Sequence, residues 1–405
     1  MGTRKVALAL LATLVAAVSV SACGGGGSSS GGGGGESEEG SGPGVSNEKI
    51  ELGATSSSSG PDASACLPNV EGSEAWIKKV NEEGGVDGRE IVWNVLDNKG
   101  NPSQAVSNAR QLVTKENVLA MFGGCGSAPA AAVMPFLEQE KVPYVFPNAL
   151  SPALLNQEMA FQITPLFNQQ LSSVLTQAYK EKGPGDVAIV YIEGLDNPMV
   201  EAVQKVAEES GKKLVTSIPI SFEETDFGPV AIKVKNADPE YVALGTSTPQ
   251  AGELVKALAA QGFKPKDYIG NQGETDSVYA ETAGGAANGV SLAGSPVVPT
   301  TSEQAKECNE SLPSSVEPTF NTLLGCAQAQ LMVEALKKAG KNLTRESLVK
   351  ALQSFKNVET GSTPPVTWKP NGLMIETLSI QSLLPNGEFE QVAQSPLPEP
   401  LVEEE

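Results

Sequence analysis

From residue 48 onward, short apolar runs alternate with amphipathic segments along the chain. The runs IELGAT, REIVWNVLD, VLAMF and VPYVFP predict strands, and the segment NPSQAVSNARQLVTKE predicts a helix with one apolar face. The residues of that face are Ala105, Val106, Ala109, Leu112 and Val113. Repeated strand–helix–strand units predict a parallel sheet with right-handed crossovers.

The same alternation begins again with DVAIVYI and continues through KLVTSIPI, YVALG and YIGN. The C-terminal part differs, because TWKPNGLMIETLSIQSLLPNGEFEQV places Pro-Asn-Gly turns between extended runs. Such turns indicate antiparallel hairpins. The pattern therefore predicts an α/β fold with two doubly wound units and a C-terminal hairpin region.

The N-terminal region lacks this pattern. The basic start MGTRK and the apolar run VALALLATLVAAVSV predict a signal peptide over residues 1–22, because the apolar run is too short for a stable membrane span. The run ends in VSAC, which resembles the bacterial lipobox, and this resemblance implies that Cys23 carries a lipid anchor. An ordinary signal peptide cut nearby is the alternative. The Gly/Ser-rich residues 23–47 predict a flexible tether after that cysteine.

The net charge of −20 at pH 7 argues against nucleic acid and against polyanionic substrates. The chain has no histidine, which removes Ser–His–Asp and Cys–His catalysis and the commonest metal ligand. The sequence therefore predicts a protein that is not an enzyme and that uses no cofactor or metal.

Four cysteines follow Cys23, and an even number in an exported protein suggests disulfides. Three pairings are possible. A sheet of strand order 2-1-3-4-5 would place the loops after the first and third strands side by side. These loops carry Cys66 and Cys125, so the favoured pairing is Cys66–Cys125 together with Cys308–Cys326.

The stretch FGGCGSAPA, residues 122–130, joins a predicted strand to a predicted helix through a glycine turn. This order presents free backbone N–H groups at the start of a helix, where an anion is favoured. A phosphate, a carboxylate, a reacting carbonyl or no ligand remain possible. The stretch is not a P-loop, because no lysine follows, and it lacks the second glycine of a nucleophile elbow.

Several segments, taken in order, resemble the type I periplasmic solute-binding proteins, and more narrowly the branched-chain amino acid and amide receptors of ABC importers. The matching segments are IELG, WIKKVNEEGGVDGRE, DNKGNPSQAV, FGGCGSAPAAAVMPFLEQEKVPYVFPNALSPAL and ETDFGPVAIKVKNADPEYVALG. The resemblance covers nearly all of residues 48–395 and is most specific in residues 80–107 and 122–154. It implies two lobes joined by three crossings, with a ligand cleft between them.

The resemblance also implies the lobe boundaries. The first lobe would comprise residues 48–164 and 291–358, and the second would comprise residues 165–290 and 359–395. The remaining residues, 396–405, read as a disordered tail.

In relatives that bind α-amino acids, the glycine turn and the loop after the next strand hold the ligand carboxylate. By position, the resemblance implies that these first-lobe contacts are Ser127, Ala128, Ala149, Leu150 and Ser151. Ser127 has the alternative role of a helix N-cap. The implied second-lobe contacts are Phe167, Asp196, Ser247 and Gln272.

Three of these positions depart from the family pattern. Leu150 replaces the usual threonine or serine, Phe167 stands where aspartate is common, and Gln272 stands where glutamate is common. Asp196 and Glu274 remain as nearby carboxylates. Burying an ammonium group without an acid costs several kcal/mol. The departures therefore favour a neutral or amide-bearing ligand, or one with an apolar body.

Ser56, Ser57 and Ser58, in the loop after the first strand, could also reach the cleft. A solvated loop is the favoured interpretation of this segment.

The expected function is a lipid-anchored, extracytoplasmic substrate-binding component of an ABC importer. It would bind a small amino-acid-like or amide-like solute by lobe closure, deliver the solute to permease subunits and act as a monomer. The alternative is a ligand-sensing receptor of the same fold that is coupled to signalling.

Overall fold

The computed structural model describes residues 42–60, 62–193 and 197–401. The predicted signal peptide, Cys23, Asp196 and the last four residues lie outside the described residues. Within the described part of the chain, no helix has an apolar stretch long enough to cross a bilayer.

In the described N-terminal half, five parallel strands form one sheet of order β2-β1-β3-β4-β5. The strands are β1 (Lys49–Ser56), β2 (Glu90–Asp97), β3 (Ala120–Phe122), β4 (Tyr144–Val145) and β5 (Ala160–Phe161). The accompanying helices are α1 (Ala63–Glu82), α2 (Pro102–Thr114) and α3 (Ser127–Gln139). This confirms the doubly wound order 2-1-3-4-5 that the sequence predicted.

A second sheet has the order β12-β11-β10-β9-β8-β6-β7 among the described residues. Its strands are β6 (Val187–Ile192), β7 (Leu214–Ile220), β8 (Tyr241–Gly245), β9 (Asp267–Gly270), β10 (Ser291–Ser295), β11 (Thr377–Leu383) and β12 (Phe389–Pro396). Its helices are α4 (Phe167–Lys182), α5 (Asn197–Glu209), α6 (Gly228–Ala237), α7 (Thr248–Ala260) and α8 (Ser277–Ala283). The sheet is mixed, because β11 is antiparallel to both β10 and β12 while the other pairs are parallel. The last hairpin turns through the second Pro-Asn-Gly segment.

Three helices, α9 (Lys306–Ser311), α10 (Phe320–Ala339) and α11 (Arg345–Gln353), return the chain to the first sheet. α10 packs against α1 at very close range. A Cβ atom on Gly72 would lie 2.0 Å from the Thr322 carbonyl oxygen, and one on Gly325 would lie 2.0 Å from the Asn69 carbonyl oxygen. The two helix backbones are therefore in direct contact, and only glycine fits at these two positions.

The points where the chain passes between the sheets differ from the predicted lobe boundaries. β10 pairs with β9 and β11, so residues 291–295 belong to the second sheet and not to the first lobe as predicted. Residues 359–375 are also reassigned, because Asn156 N–H donates to the Asn371 carbonyl and Met374 N–H donates to the Gln162 carbonyl. Backbone hydrogen bonds thus keep this segment beside β5 until β11 begins.

The segment after β12 is hydrogen-bonded, which corrects the predicted disordered tail for residues 396–401. Three polar side chains of α4 donate to its carbonyl groups: Ser173 to Pro396 at 3.0 Å, Gln169 to Pro398 at 2.7 Å and Asn168 to Leu401 at 2.7 Å. The start of α4 is therefore held between the second sheet and the C-terminal segment.

Candidate ligand-binding site

The glycine turn after β3 is pressed against the end of β1. Gly123, Gly124 and Gly126 all have positive φ, and a Cβ on Gly124 would lie 2.4 Å from the Thr55 carbonyl oxygen. Ser57 N–H donates to the Cys125 carbonyl at 3.1 Å. The turn therefore needs glycine both for its conformation and for its contact with β1.

A disulfide ties this turn to α1. Cys66 is joined to Cys125 with a Cα–Cα distance of 5.2 Å, and Cys308 is joined to Cys326 between α9 and α10. These are the pairs that the sequence analysis favours. The first disulfide fixes the loop that precedes α3.

Ser127 joins the glycine turn to the loop after β4. Its hydroxyl oxygen accepts from Leu150 N–H at 3.0 Å, and it is partly exposed. Gly126 occupies the N-cap position of α3, so the alternative of Ser127 as N-cap is wrong. The described residues offer no acceptor for the Ser127 hydroxyl hydrogen, which stays free to donate to a ligand.

The start of α3 supplies further donors beside this hydroxyl. The first backbone N–H groups of a helix have no partner within the helix, and Pro129 has no N–H group. Ser127 and Ala128 therefore provide the free N–H groups of the first turn, and Ala128 is exposed. Ala149 is fully buried and Ser151 is buried, so these two predicted contacts lie beneath the surface of their loop.

Two of the predicted serines, at the end of β1, are buried, which corrects the interpretation of a solvated loop for these two residues. Ser56 and Ser57 have no exposed surface, and Ser57 donates to the Asn98 side chain at 2.9 Å. Ser58 is partly exposed, but the hydroxyl oxygens of Ser56 and Ser58 are buried without a hydrogen-bond partner among the described residues. Through its N–H bond to the Cys125 carbonyl, Ser57 supports the glycine turn.

The predicted second-lobe residues lie at the ends of strands and starts of helices. Phe167 is the first residue of α4, is partly buried and packs against the apolar core. Ser247 caps α7, and its hydroxyl lies 3.0 Å from Gln250 Oε1, so the helix start already uses it. Gln272 opens a short 3₁₀ turn, Gln272–Thr275, directly after β9.

Gln272 is paired with Gln170 of α4. Gln272 N–H donates to Gln170 Oε1 at 2.8 Å, and Gln170 Nε2 donates to Gln272 Oε1 at 3.3 Å. Gln170 is fully buried and follows Phe167 by three residues, so both lie near the start of α4. Gln170 was not predicted from the sequence, because a polar residue near a helix start gives no sign that it faces inward.

The carboxyl groups near Gln272 are buried. In Glu274 one carboxyl oxygen accepts from Asn271 N–H at 2.7 Å, and the other has no hydrogen-bond partner among the described residues. Burial raises the pKa of this carboxyl well above the usual range. Asp276 caps α8 by accepting from Val278 N–H and also accepts from Phe320 N–H at the start of α10, while burial raises its pKa. In the described ranges no three His, Cys, Asp or Glu residues are grouped as a metal site.

The two halves of the site meet at the first turn of α10. On the first-lobe side, the Asn148 Nδ2 donates to the Asn321 Oδ1 at 3.5 Å, and Asn148 precedes Ala149 and Leu150. On the second-lobe side, the 3₁₀ turn contacts α10 and Asp276 accepts from Phe320 N–H. The structure thus brings the Ser127–Leu150 loop pair and the Gln170–Gln272 pair to opposite sides of one helix start. Asn148, Asn321 and Asp276 were not predicted, because their contacts join segments far apart in sequence.

Two surface pockets lie away from these residues. One, of about 390 Å³, is lined by Trp93 and residues of α1. The other, of about 440 Å³, lies between the segment after β10 and β12. Neither contains a predicted ligand contact.

Comparison with known proteins gives a consistent family. A family model described as a periplasmic binding protein matches residues 49–388. A Leu/Ile/Val-binding protein homolog from Brucella melitensis is 26% identical over 311 residues, which cover 74% of this chain and 81% of that protein.

Solved structures have the same fold. A branched chain amino acid ABC transporter protein from Thermus thermophilus with bound valine gives a TM-score of 0.77 at 19% identity, covering 88% of this chain and 98% of that one. A fatty acid ABC transporter substrate-binding protein from Thermomonospora curvata gives a TM-score of 0.75 at 23% identity, covering 88% and 95%.

Proposed function

This chain belongs to the type I periplasmic binding protein family, and from that premise we propose that it is the substrate-binding component of an ABC importer. It binds a small amino-acid-like or amide-like solute and delivers it to permease subunits. One observation carries the proposal: the Ser127–Leu150 pair and the Gln170–Gln272 pair lie on opposite sides of the first turn of α10. In open α/β sheets, ligands bind beyond the carboxyl ends of the strands.

The first-lobe side of the site suits a carboxylate. The Ser127 hydroxyl and the free N–H groups at the start of α3 are hydrogen-bond donors, and the positive end of the helix dipole favours an anion. The proposed contacts on this side are Ser127, Ala128 and the loop Ala149–Ser151. The proposed contacts on the other side are Phe167, Asp196, Ser247 and Gln272.

The proposed cycle is a closure of two lobes. The open form admits the solute, the lobes close around it, and the closed form docks on the permease. The first lobe comprises β1–β5 with α1–α3 and α9–α11, and the second comprises the other strands and helices. No bond of the ligand is made or broken in this cycle.

The N-terminal region supports an extracytoplasmic location. A signal peptide, a lipidated Cys23 and a Gly/Ser-rich tether would hold a monomer near its permease. The relatives support the solute class, since one is named for leucine, isoleucine and valine and another holds valine. The fold neighbour named for fatty acids supports a ligand without an ammonium group.

Thermal melting of the chain without residues 1–23 tests this function. The trial solutes are branched-chain amino acids, small amides and aromatic acids, with a sugar phosphate as a negative control. A bound solute at a hundredfold excess over its Kd adds about 2.7 kcal/mol of stability and raises the melting temperature. If a folded sample shows no shift with any of these solutes, the proposed function is wrong.

A further inference from the structure

The direction of the Gln170–Gln272 pair is fixed by backbone groups. A carboxamide can be turned over in a structure, so its polarity must come from partners of known polarity. Gln272 N–H can only donate, and it lies 2.8 Å from Gln170 Oε1. The Pro165 carbonyl can only accept, and it lies 2.7 Å from Gln170 Nε2. Both contacts fix the Gln170 amide in one orientation.

The orientation of Gln170 then decides that of Gln272. The Gln170 Nε2 is a donor, so the Gln272 atom that lies 3.3 Å from it must be the oxygen, Oε1. The remaining end of the Gln272 side chain is Nε2, which is a donor. The described residues give Nε2 no hydrogen-bond partner, and it is not among their fully buried, unpaired polar atoms. Gln272 is 6% exposed, and its amide nitrogen is therefore in contact with solvent.

This part of the site therefore presents an N–H donor at the position where the family resemblance implies a carboxylate. An ammonium group has donors only and cannot pair with Nε2. Glu274 is enclosed and Asp276 already accepts from two helix starts, so neither of these described carboxyls is available to balance a positive charge.

We propose that the second-lobe end of the site binds a neutral carbonyl oxygen of the ligand in place of an ammonium group. This inference rests on the proposed function and narrows its substrate class. The ligand is a small carboxylic acid that carries a second, uncharged carbonyl oxygen, as in a 2-oxo acid or a monoamide. Its carboxylate faces Ser127 and its carbonyl oxygen accepts from Gln272 Nε2.

Matched ligand pairs test the inference directly by calorimetric titration. Each pair shares one carbon skeleton and differs only in the group at issue: L-valine with 3-methyl-2-oxobutanoate, L-leucine with 4-methyl-2-oxopentanoate, and L-phenylalanine with phenylpyruvate. We expect at least one oxo acid to bind tenfold or more tightly than its amino acid. Tighter binding of the amino acids overturns the inference and leaves the proposed function standing.

The substitution Gln272→Glu replaces the donor Nε2 by a carboxylate oxygen, which is a hydrogen-bond acceptor. One carboxylate oxygen still accepts from Gln170 Nε2, while the other faces the cleft as an acceptor. The preference should shift toward the amino acid by a hundredfold or more. Gln394→Glu makes the same charge change at an exposed position of β12 and should leave the preference unchanged.

Gln272→Ser is a second test variant, for use if Gln272→Glu does not fold. It removes the donor without adding a charge, so oxo acid affinity should fall tenfold or more with no gain for the amino acid. An unchanged preference in either folded variant overturns the inference. Binding of no member of any pair, and of none of the melting-test solutes, overturns the proposed function and the inference together.

Discussion

Ser127 accepts one hydrogen bond and has one left to donate. The bond from Leu150 N–H uses the oxygen and fixes its position at the first residue of α3. The residue can thus hold the loop after β4 and contact a ligand at the same time. Its type and position could be predicted from the sequence, because a polar residue after a glycine turn opens a helix.

The change Ser127→Ala should weaken ligand binding while leaving the fold intact. Loss of one hydrogen bond to a charged group removes about 1.5 kcal/mol, which is roughly a tenfold loss of affinity. Titration with the solute found by melting measures this loss. Ser210→Ala, at an exposed position after α5, is the control and should bind as the original does. Equal affinity of both variants would remove Ser127 from the site.

Glu274 makes the free energy of unfolding depend on pH. Burial raises its pKa in the folded protein above the unfolded value, so the folded state holds a proton that the unfolded state releases. Stability should therefore decrease as pH rises from the unfolded pKa toward the folded one. Glu274→Gln removes this term, so its melting temperature should rise relative to the original protein as pH increases above the unfolded pKa of glutamate. If the difference in melting temperature between the two proteins does not change with pH, Glu274 is not protonated in the folded state.

At the scale of elements, the alternation of apolar and amphipathic segments predicted the α/β fold class and most strands of both sheets, but not the two-residue strand β5. The order of the first sheet was taken from the doubly wound fold class. The assignment of segments to the two lobes failed where strand pairing, and not the local sequence, decides the sheet. The run GVSLAG, residues 289–294, has the apolar pattern of a strand, but only its pairing with β9 and β11 reveals the sheet to which it belongs. Residues 396–401 have the composition of a tail, and polar side chains of α4 nevertheless order their backbone.

Removal of the two disulfides, one at a time, should distinguish an effect on stability from an effect on ligand binding. Replacing Cys66 and Cys125 by alanine should cost about 2 to 5 kcal/mol of stability and also lower ligand affinity, because this disulfide holds the turn before Ser127. Replacing Cys308 and Cys326 is the matched control. It should lower stability by a similar amount with little change in affinity. Chemical denaturation measures the stability of each variant, and titration of the same samples measures its ligand affinity. If the two variants bind the ligand equally well, the Cys66–Cys125 disulfide does not position the turn for binding.

At the scale of the whole molecule, Asp276 is a carboxylate that accepts from two helix starts on opposite sides of the cleft. It caps α8 of the second lobe and accepts from the first N–H of α10, which packs on the first lobe. No sequence pattern identifies such a residue, because one of its partners follows it by more than forty positions. The lobe arrangement was predictable from the resemblance, whereas the contacts that hold the lobes together were not.

Asp276→Ala should therefore weaken ligand binding by about tenfold, because the closed arrangement loses a hydrogen bond between lobes. Asp226→Ala is the control, since Asp226 accepts from Gly228 N–H at the start of α6 within one lobe. Each variant should lose about 1 kcal/mol of stability as a lost cap. Small-angle scattering with ligand should show a more open Asp276→Ala protein, and an equally closed one would argue against this contact as a closure element.

The Gln170–Gln272 pair also has a consequence for how the protein can evolve. Glutamine and glutamate codons differ only in their first base, so a single C-to-G change in the gene converts residue 272 from a donor into an acid. Because Gln170 can donate to either side chain, the rest of the site need not change with it. A lineage could thus exchange one class of ligand for another in one mutational step, with the fold and the lobe contacts left as they were.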